Sequence, residues 1–316
     1  MTILESKLHP IKFYLQLVCF SLFGFTVSTL LLLEVLGIVQ ISDNDIANWI
    51  KILAAILIFW MVIVLVKRYS ESAAKIIIFT DHLLFNDTRI EFSDIEEIQL
   101  IGKVDMMFFL PFPMNGIRIA MNNKVEKVLY DSFYTNTAEI KQCLEQLIIM
   151  KKRFEPYRTK QIQPAEVKIS EVIQYKGMQL FCFHGAAIWI GVLVFLSVTL
   201  IGENEESPLL VHSIIFAIIA TYIFALSFFL NYFLVTDEYL VIKNHNWIWR
   251  NRIFAFEDIR EVYIEEDGKW PKTLVVFTKD FRKHEYPASS LRKKQWFGLW
   301  RALARKKIKV SNLAFV

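Results

Sequence analysis

The 316-residue chain has little of what a catalytic or disulfide-built protein needs. Its three cysteines, Cys19, Cys143 and Cys182, are an odd number at wide spacing. That excludes a disulfide framework and a zinc knuckle. Cys19 and Cys182 fall inside apolar runs, where a thiol acts as a small hydrophobe. The ten glycines are scattered, which excludes a GxGxxG turn and a Walker loop. HExxH, CxxC and GxSxG are also missing, and the six histidines lack ligand spacing. No enzyme, metal or cofactor is expected. The net charge of +4 is small, and it is unevenly placed. Residues 1–160 hold 17 Lys+Arg against 17 Asp+Glu, and residues 161–316 hold 19 against 15. Such an excess suits a surface facing anionic lipid better than a nucleic-acid groove, so no nucleic-acid partner is expected.

What the chain has in quantity is apolar sequence. Hydrophobic residues make up 54%, aromatics 15%, and the mean hydropathy is +0.37. These values exceed those of an average soluble domain. The apolar residues collect in four runs, 13–39, 52–66, 178–201 and 208–235. About 20 helical residues cross a hydrocarbon core. Three runs meet that length, and the second does so if Lys51 snorkels outward and its helix starts near Ala47. The first run is too long for a cleaved signal, and no small-x-small site follows it.

Loop charge sets an orientation. "QISDNDIANW" (40–49) and "GENEESP" (202–208) are acidic, whereas Lys7, Lys12, Lys67, Arg68, Lys168 and Lys176 flank the opposite ends of the runs. The positive-inside rule then places both termini and both long polar segments in the cytoplasm, with two hairpins whose tips lie outside. Glu34 in the first run reads either as an interfacial carboxylate or as a buried functional one. His184 in the third reads either as a packing or interfacial residue or as part of a proton relay.

The polar segments repeat. "FTDHLLFN" (79–86) and "VTDEYLVIKN" (235–244) each follow an apolar run, and each precedes a related stretch, "IEFSDIEEIQL" (90–100) or "FAFEDIREVYI" (254–264). A β-rich run meets a polar pair and reverses, which reads as a hairpin. More strands follow in "GIRIAM", "EKVLYD", "TLVVFT" and "RKHEYP". A helix ends each copy. Asn136 with Glu139 reads as a capping box for the first, and Ser289 or Ser290 as the cap of the second. Thr80 to Tyr130 and Thr236 to Tyr286 both span 50 residues. The unit is therefore two transmembrane helices plus a sheet-and-helix domain, held in tandem. The boundaries read as hairpin 1–68, domain 75–155, linker 156–177, hairpin 178–234 and domain 235–310.

The pattern "TDEYLVIKN", "FEDIREVYI" and "YPASSL" in the second copy, with "TDHLLFND", "FSDIEEIQL" and "YDSFY" in the first, resembles bacterial pleckstrin-homology-like (bPH, YcxB-like) domains of membrane proteins. That resemblance implies an α+β membrane protein of the bacterial cytoplasmic (inner) membrane. Four transmembrane helices form two hairpins, each followed by a PH-like antiparallel β-sandwich or barrel of about seven strands with a C-terminal helix. Such a domain typically docks lipid or protein.

Three stretches are candidate sites. The apolar stretch "MMFFLPFPM" (106–114), with Met106, Met107, Phe108, Phe109 and Phe112, reads as a loop. It either dips into a membrane, anchors a partner, or plugs its own domain. Trp247 and Trp249 lie beside Arg250 and Arg252, a pairing suited to the headgroup layer or to a locally packed hairpin tip. The last is a C-terminal helix read over 291–309, whose Arg292, Lys293, Lys294, Arg301, Arg305, Lys306, Lys307 and Lys309 face no acid in that stretch. Trp296, Leu299, Trp300 and Leu303 form one apolar stripe expected to cap the sheet. The expected partners are anionic phospholipid headgroups, with another membrane protein or a second copy as further partners. "NDT" at 86–88 matches a glycosylation sequon but reads as turn chemistry on the cytoplasmic side. In a rival reading the hairpins themselves act, in an immunity or stress-resistance protein or a transporter accessory subunit. An enzyme would need a pocket around Asp94 and Asp131.

Overall fold

A computed structural model of the chain describes residues 2–39, 48–107, 111–163, 172–201, 209–247, 249, 251–266, 271–306 and 308–312. The chain divides into two units, Met1–Pro156 and Tyr157–Val316. Both mix helices with antiparallel sheets.

The first unit begins with strand β1 (Thr2–Glu5) and helices α1 (Pro10–Val35) and α2 (Asn48–Glu71). Pro10 at the start of α1 costs no hydrogen bond there, and His9 caps the helix by accepting from the Lys12 N–H at 3.1 Å. Then come β2 (Ile76–Phe79), β3 (His82–Phe85), β4 (Thr88–Glu91), a 3₁₀ turn, β5 (Ile95–Gln99), β6 (Lys103–Met107), β7 (Pro111–Met121) and β8 (Glu126–Tyr130). Helix α3 (Thr137–Leu144) closes the unit and runs into a π-helical turn, Glu145–Ile149. One sheet has the order β1-β2-β3-β4; in the other, β7 pairs with β5, β6 and β8. Burial alternates along β2 and β3, turning Ile76, Ile78, Leu83 and Phe85 inward. Asn86 and Asp87 take positive φ of 46° and 66° in the turn between β3 and β4. A tight primed hairpin turn demands that conformation.

β1 and β2 are hydrogen-bonded neighbours, with Thr2 opposite Phe79 and Glu5 opposite Ile77. The whole α1–α2 hairpin is thus inserted between two adjacent strands of one sheet, which clamps its base. The helices pack antiparallel through small residues. A Cβ on Gly24 would lie 2.2 Å from the Val62 side chain, and Ser28 donates to the Ala55 carbonyl at 2.9 Å. Toward the tip, Lys51 Nζ meets Glu34 Oε1 at 2.8 Å. At the base, Tyr69 donates to Gln16 at 2.8 Å, and Phe13, Tyr69 and Phe133 share one aromatic cluster.

The second unit repeats the device. Strand β9 (Ile173–Tyr175) leads through a 3₁₀ turn, Gln179–Phe181, into α4 (Phe183–Ile201) and α5 (Leu209–Ser227). The chain then returns as β10 (Asn231–Val235), antiparallel beside β9, with Phe233 opposite Tyr175. Next come β11 (Tyr239–Asn244), β12 (Arg252–Ala255), β13 (Ile259–Glu265), β14 (Thr273–Thr278), β15 (Lys283–Pro287), α6 (Lys293–Ala304) and β16 (Lys309–Asn312). The sheets have the orders β12-β11-β10-β9 and β15-β14-β13-β16, and β16 runs parallel to β13. Trp296, Leu299 and Leu303 of α6 enter a core with Phe233, Leu240, Ile242, Ile264, Leu274 and Val276. The expected apolar stripe does cap this sheet, and Trp300 packs at its margin.

The start of this unit is strapped down by hydrogen bonds. Tyr157 donates to Asp258 at 2.6 Å, which pushes the phenol up to about 12. Thr159 donates its hydroxyl to Asp280 at 2.9 Å. Burial pushes the Asp280 carboxyl up, but donors from Thr278 and Thr159 and the Arg282 charge outweigh it, so it titrates below the usual range.

Among the described residues, two helices, α1 and α2, are long and apolar enough to cross a membrane, and α4 and α5 hold shorter apolar stretches. Residues 231–235, which close the fourth apolar run and also read as the β-rich run before the turn, form strand β10. Other sequence expectations are corrected. Of the stretch read as a loop at 106–114, Met106 and Met107 belong to β6 and residues 111–114 to β7, with Met106 opposite Phe112. Asn136 makes no side-chain cap; its amide bridges the Lys7 N–H at 2.9 Å and the Glu5 carbonyl at 2.8 Å. Helix α6 ends at Ala304, and its cap is Arg292, whose backbone N–H is accepted by Gln295 Oε1 at 2.9 Å. Ser289 and Ser290 turn elsewhere.

Candidate functional site

The base of the second hairpin holds a concentrated set of polar side chains. The end of α5 supplies Ser227, only 1% exposed. Its hydroxyl accepts from Asn246 Nδ2 at 2.6 Å, and its carbonyl accepts from Asn244 Nδ2 at 2.8 Å. Asn231 donates to the Pro287 carbonyl at 2.8 Å, and Gln179, just before α4, donates to Asn246 at 2.8 Å. Ser289 and Ser290 face two histidines: Ser289 Oγ lies 2.8 Å from His184 Nδ1, and Ser290 Oγ lies 3.3 Å from His245 Nε2. Burial and the Lys176 charge push His245 down to about 4, so it is neutral at pH 7. Buried amides and hydroxyls that satisfy one another fix a single geometry, because breaking any of them strands a desolvated partner. The hairpin and its sheet therefore meet as one rigid joint.

Beside this joint lies a pocket of about 570 Å³. It is lined by Phe183 and His184 at the start of α4, Pro271 and Lys272 before β14, Ala288, Ser289 and Leu291 after β15, and Lys293 and Trp296 of α6. Among the described residues the lining holds no carboxylate. Lys272 pairs with Glu266 at 2.8 Å. Arg292, Lys293 and Lys294 crowd the positive end of the α6 dipole, and the first turn carries no acid. Each such cation opposes the dipole by about 0.3–1 kcal/mol.

The sequence candidates fare differently. Arg292, Lys293, Lys294, Arg301 and Arg305 are exposed along α6 and its end. Arg301 lies over the Phe297 ring at 4.3 Å. Lys306 is partly buried and pairs with Asp237 at 3.0 Å. Lys309 stands in β16, not in the helix, and pairs with Glu261 at 3.0 Å, because the chain turns back onto β13 after Ala304. The basic face read over 291–309 is thus shorter than expected, and two of its cations meet acids from other strands. Lys307 lies outside the described residues. Trp249 is 79% exposed, whereas Trp247 packs between Phe224 and Phe228 at 4.9 and 6.1 Å. Met106 is buried, which removes it from any membrane or partner surface. Phe108 and Phe109 lie outside the described residues, as do the side chains of Met107 and Phe112. Glu34 is not alone: its carboxylate pairs with Lys51 at 2.8 Å between α1 and α2.

Asp81, His82 and Glu91 bring ligand atoms within 4.8 Å of one another. Arg89 occupies the same corner, 2.7 Å from Glu91 and 3.9 Å from Asp81. A guanidinium there opposes a second cation. Asp94 stands at the surface and Asp131 pairs with Lys141 at 2.6 Å. The pocket residues Lys272 and Ser289 escaped sequence reasoning; the run of cations opening α6, where acids are favoured, was the available signal.

Residues 187–313, most of the second unit, match the family model described as EbsA-like protein. That segment is similar to EbsA-like proteins. No curated protein matches the chain.

Proposed function

We propose that the chain is a non-enzymatic, multi-pass membrane protein with two PH-like docking modules held against the inner leaflet of a bacterial cytoplasmic membrane. The observation that carries this reading is the insertion of each helical hairpin between adjacent strands, β1 and β2 or β9 and β10. Both ends of a hairpin then leave from one sheet, so the module sits at the hairpin's base. Four features support it: α1 and α2 have the length and hydropathy to span, α4 and α5 expose apolar side chains, the strand order of the hairpin-bearing sheet recurs in both units, and α6 displays exposed cations. Helices of 19 residues reach about 28 Å, enough for a bilayer core of about 30 Å with modest thinning.

Docking to anionic lipid follows from charge. Each Lys or Arg near an anionic surface contributes about 1 kcal/mol, and salt screens it. The test uses the full chain in vesicles with a nitroxide at Lys294→Cys. On bilayers with one-third phosphatidylglycerol, a water-soluble relaxation agent should reach the label poorly at low salt and freely at high salt. On phosphatidylcholine it should reach the label freely at both. Equal access on both bilayers would remove lipid docking. A second reading, in which the hairpins act, draws on the Glu34–Lys51 pair enclosed between α1 and α2. An ion pair inside a membrane segment is costly enough to suggest a role.

A further inference from the structure

We propose that the outer edge of β5 takes up an extended, lysine-bearing strand of another polypeptide, laid parallel to it. This names a partner class for the first module. It rests on the docking reading above, not on the lipid that reading assigns.

Two edges of like construction are treated differently in the two units. In the first, Ile95 lies opposite Met121 and Glu97 opposite Ala120 of β7. In the second, Ile259 lies opposite Thr278 and Glu261 opposite Phe277 of β14. A register shift falls at the same place in both, between Ile95 and Glu97 and between Ile259 and Glu261. Ile95, Glu97 and Ile98 are therefore the counterparts of Ile259, Glu261 and Val262. The other side of β13 is filled by β16, whereas among the described residues β5 pairs with β7 alone. A strand edge left so presents a row of N–H and C=O groups to whatever can pair with them. Burial records the difference. Val262 is 0% exposed and Ile259 3%, whereas Ile95 and Ile98 are only partly buried.

β16 shows what such an edge accepts. Val310 lies opposite Val262 and packs against the core, and Lys309 lies opposite Glu261 and pairs with it at 3.0 Å. A strand of the same pattern on β5 sets an apolar residue beside Ile98 and a lysine beside Glu97. Main-chain hydrogen bonds supply the affinity of such an added strand, and its alternate side chains supply the register. Charge selects the occupant. Glu96 and Glu97 are both exposed, so the edge carries two carboxylates. Arg118, on the neighbouring strand, is turned to Glu126 at 2.9 Å. A second copy pairing β5 with β5 would bring like charges together, which opposes that dimer. A strand carrying lysine between apolar residues meets the two carboxylates instead.

The probe is a capped peptide of residues 308–313, IKVSNL, added at millimolar concentration to the full chain in detergent. Hydrogen exchange read by mass spectrometry should slow about fivefold at 95–99 and stay unchanged at 259–265, whose edge β16 already holds. A scrambled peptide should slow nothing. Glu97→Lys should weaken peptide binding about tenfold, because like charges then face each other. The peptide carrying Lys309→Glu should recover binding on that variant, a rescue that a merely disturbed fold does not give. No slowing at 95–99, equal slowing by the scrambled peptide, or equal binding to Glu97→Lys overturns the inference. So does protection of 95–99 equal to that of 259–265 before any peptide is added, which would mean that this chain already covers the edge. Protection that grows with protein concentration marks a second copy and overturns it too. The assay contains no lipid, so a null result sinks strand docking alone. Equal access of the Lys294→Cys label on both bilayers sinks lipid docking alone.

Discussion

Replacement of Trp296 by alanine should cost the second unit about 3–5 kcal/mol, enough to consume most of the stability of an ordinary domain. Trp296 is 1% exposed, and its ring centroid lies 5.6 Å from that of Phe233. It is also the side chain that joins α6 to both sheets of its unit, since Phe233 comes from β10 and the core around it includes residues of β11, β13 and β14. Removing it leaves a cavity that the surrounding β-branched residues cannot close. Hydrogen exchange of the full chain in detergent reads the outcome. Protection should fall across β10–β14 and persist in β2–β8. Phe297→Ala, one residue on and 41% exposed, should change protection little. Equal effects of the two substitutions would mean that α6 does not organise the core.

In the first unit the largest effect is expected from a charge. Lys141 is 2% exposed, and its ammonium lies 2.6 Å from Asp131 Oδ2. The other carboxylate oxygen, Asp131 Oδ1, is buried without a hydrogen-bond partner. Lys141→Met keeps the stem's volume but strands a partly buried carboxylate, at a cost of about 3 kcal/mol. Adding Asp131→Leu should recover much of it, because an apolar pair of similar size needs no mutual compensation. Thermal unfolding of both variants checks this. A Lys141→Met protein as stable as the wild type, or a double variant no better than the single, would show that the pair is not what holds α3 in place.

The parts of the fold that were readable are those with a strong local period. Alternation in "KIIIFTDHLLFN" and "NYFLVTDEYLVIKN" announced the β2–β3 and β10–β11 hairpins, and the i, i+3, i+4 spacing of Trp296, Leu299 and Leu303 announced the buried face of α6. β1 and β9 were missed because four and three residues are too few to show a period. They also lie across a helical hairpin from the strands they pair with, and no local signal reports such a contact. β6 and the start of β7 were hidden by a continuous apolar run carrying Pro111 and Pro113, which reads as loop. β16 was hidden by the basic run of α6; only its parallel pairing with β13 gives it a strand's conformation. The polar joint was illegible for a different reason. Ser227, Asn231, Asn244 and Asn246 are unremarkable singly, and only the return of β11 to the end of α5 brings them together.

The central claim is that two helical hairpins hang two β modules on one side of a bilayer. Impermeant maleimide labelling of intact cells tests it most directly, using single cysteines in a chain stripped of Cys19, Cys143 and Cys182. Cysteines at Ser42 and Glu205, in the acidic loops, should label from outside. Those at Glu97 and Glu238, exposed on the modules, should label only after the membrane is permeabilised. Labelling of position 97 or 238 in intact cells would contradict the account.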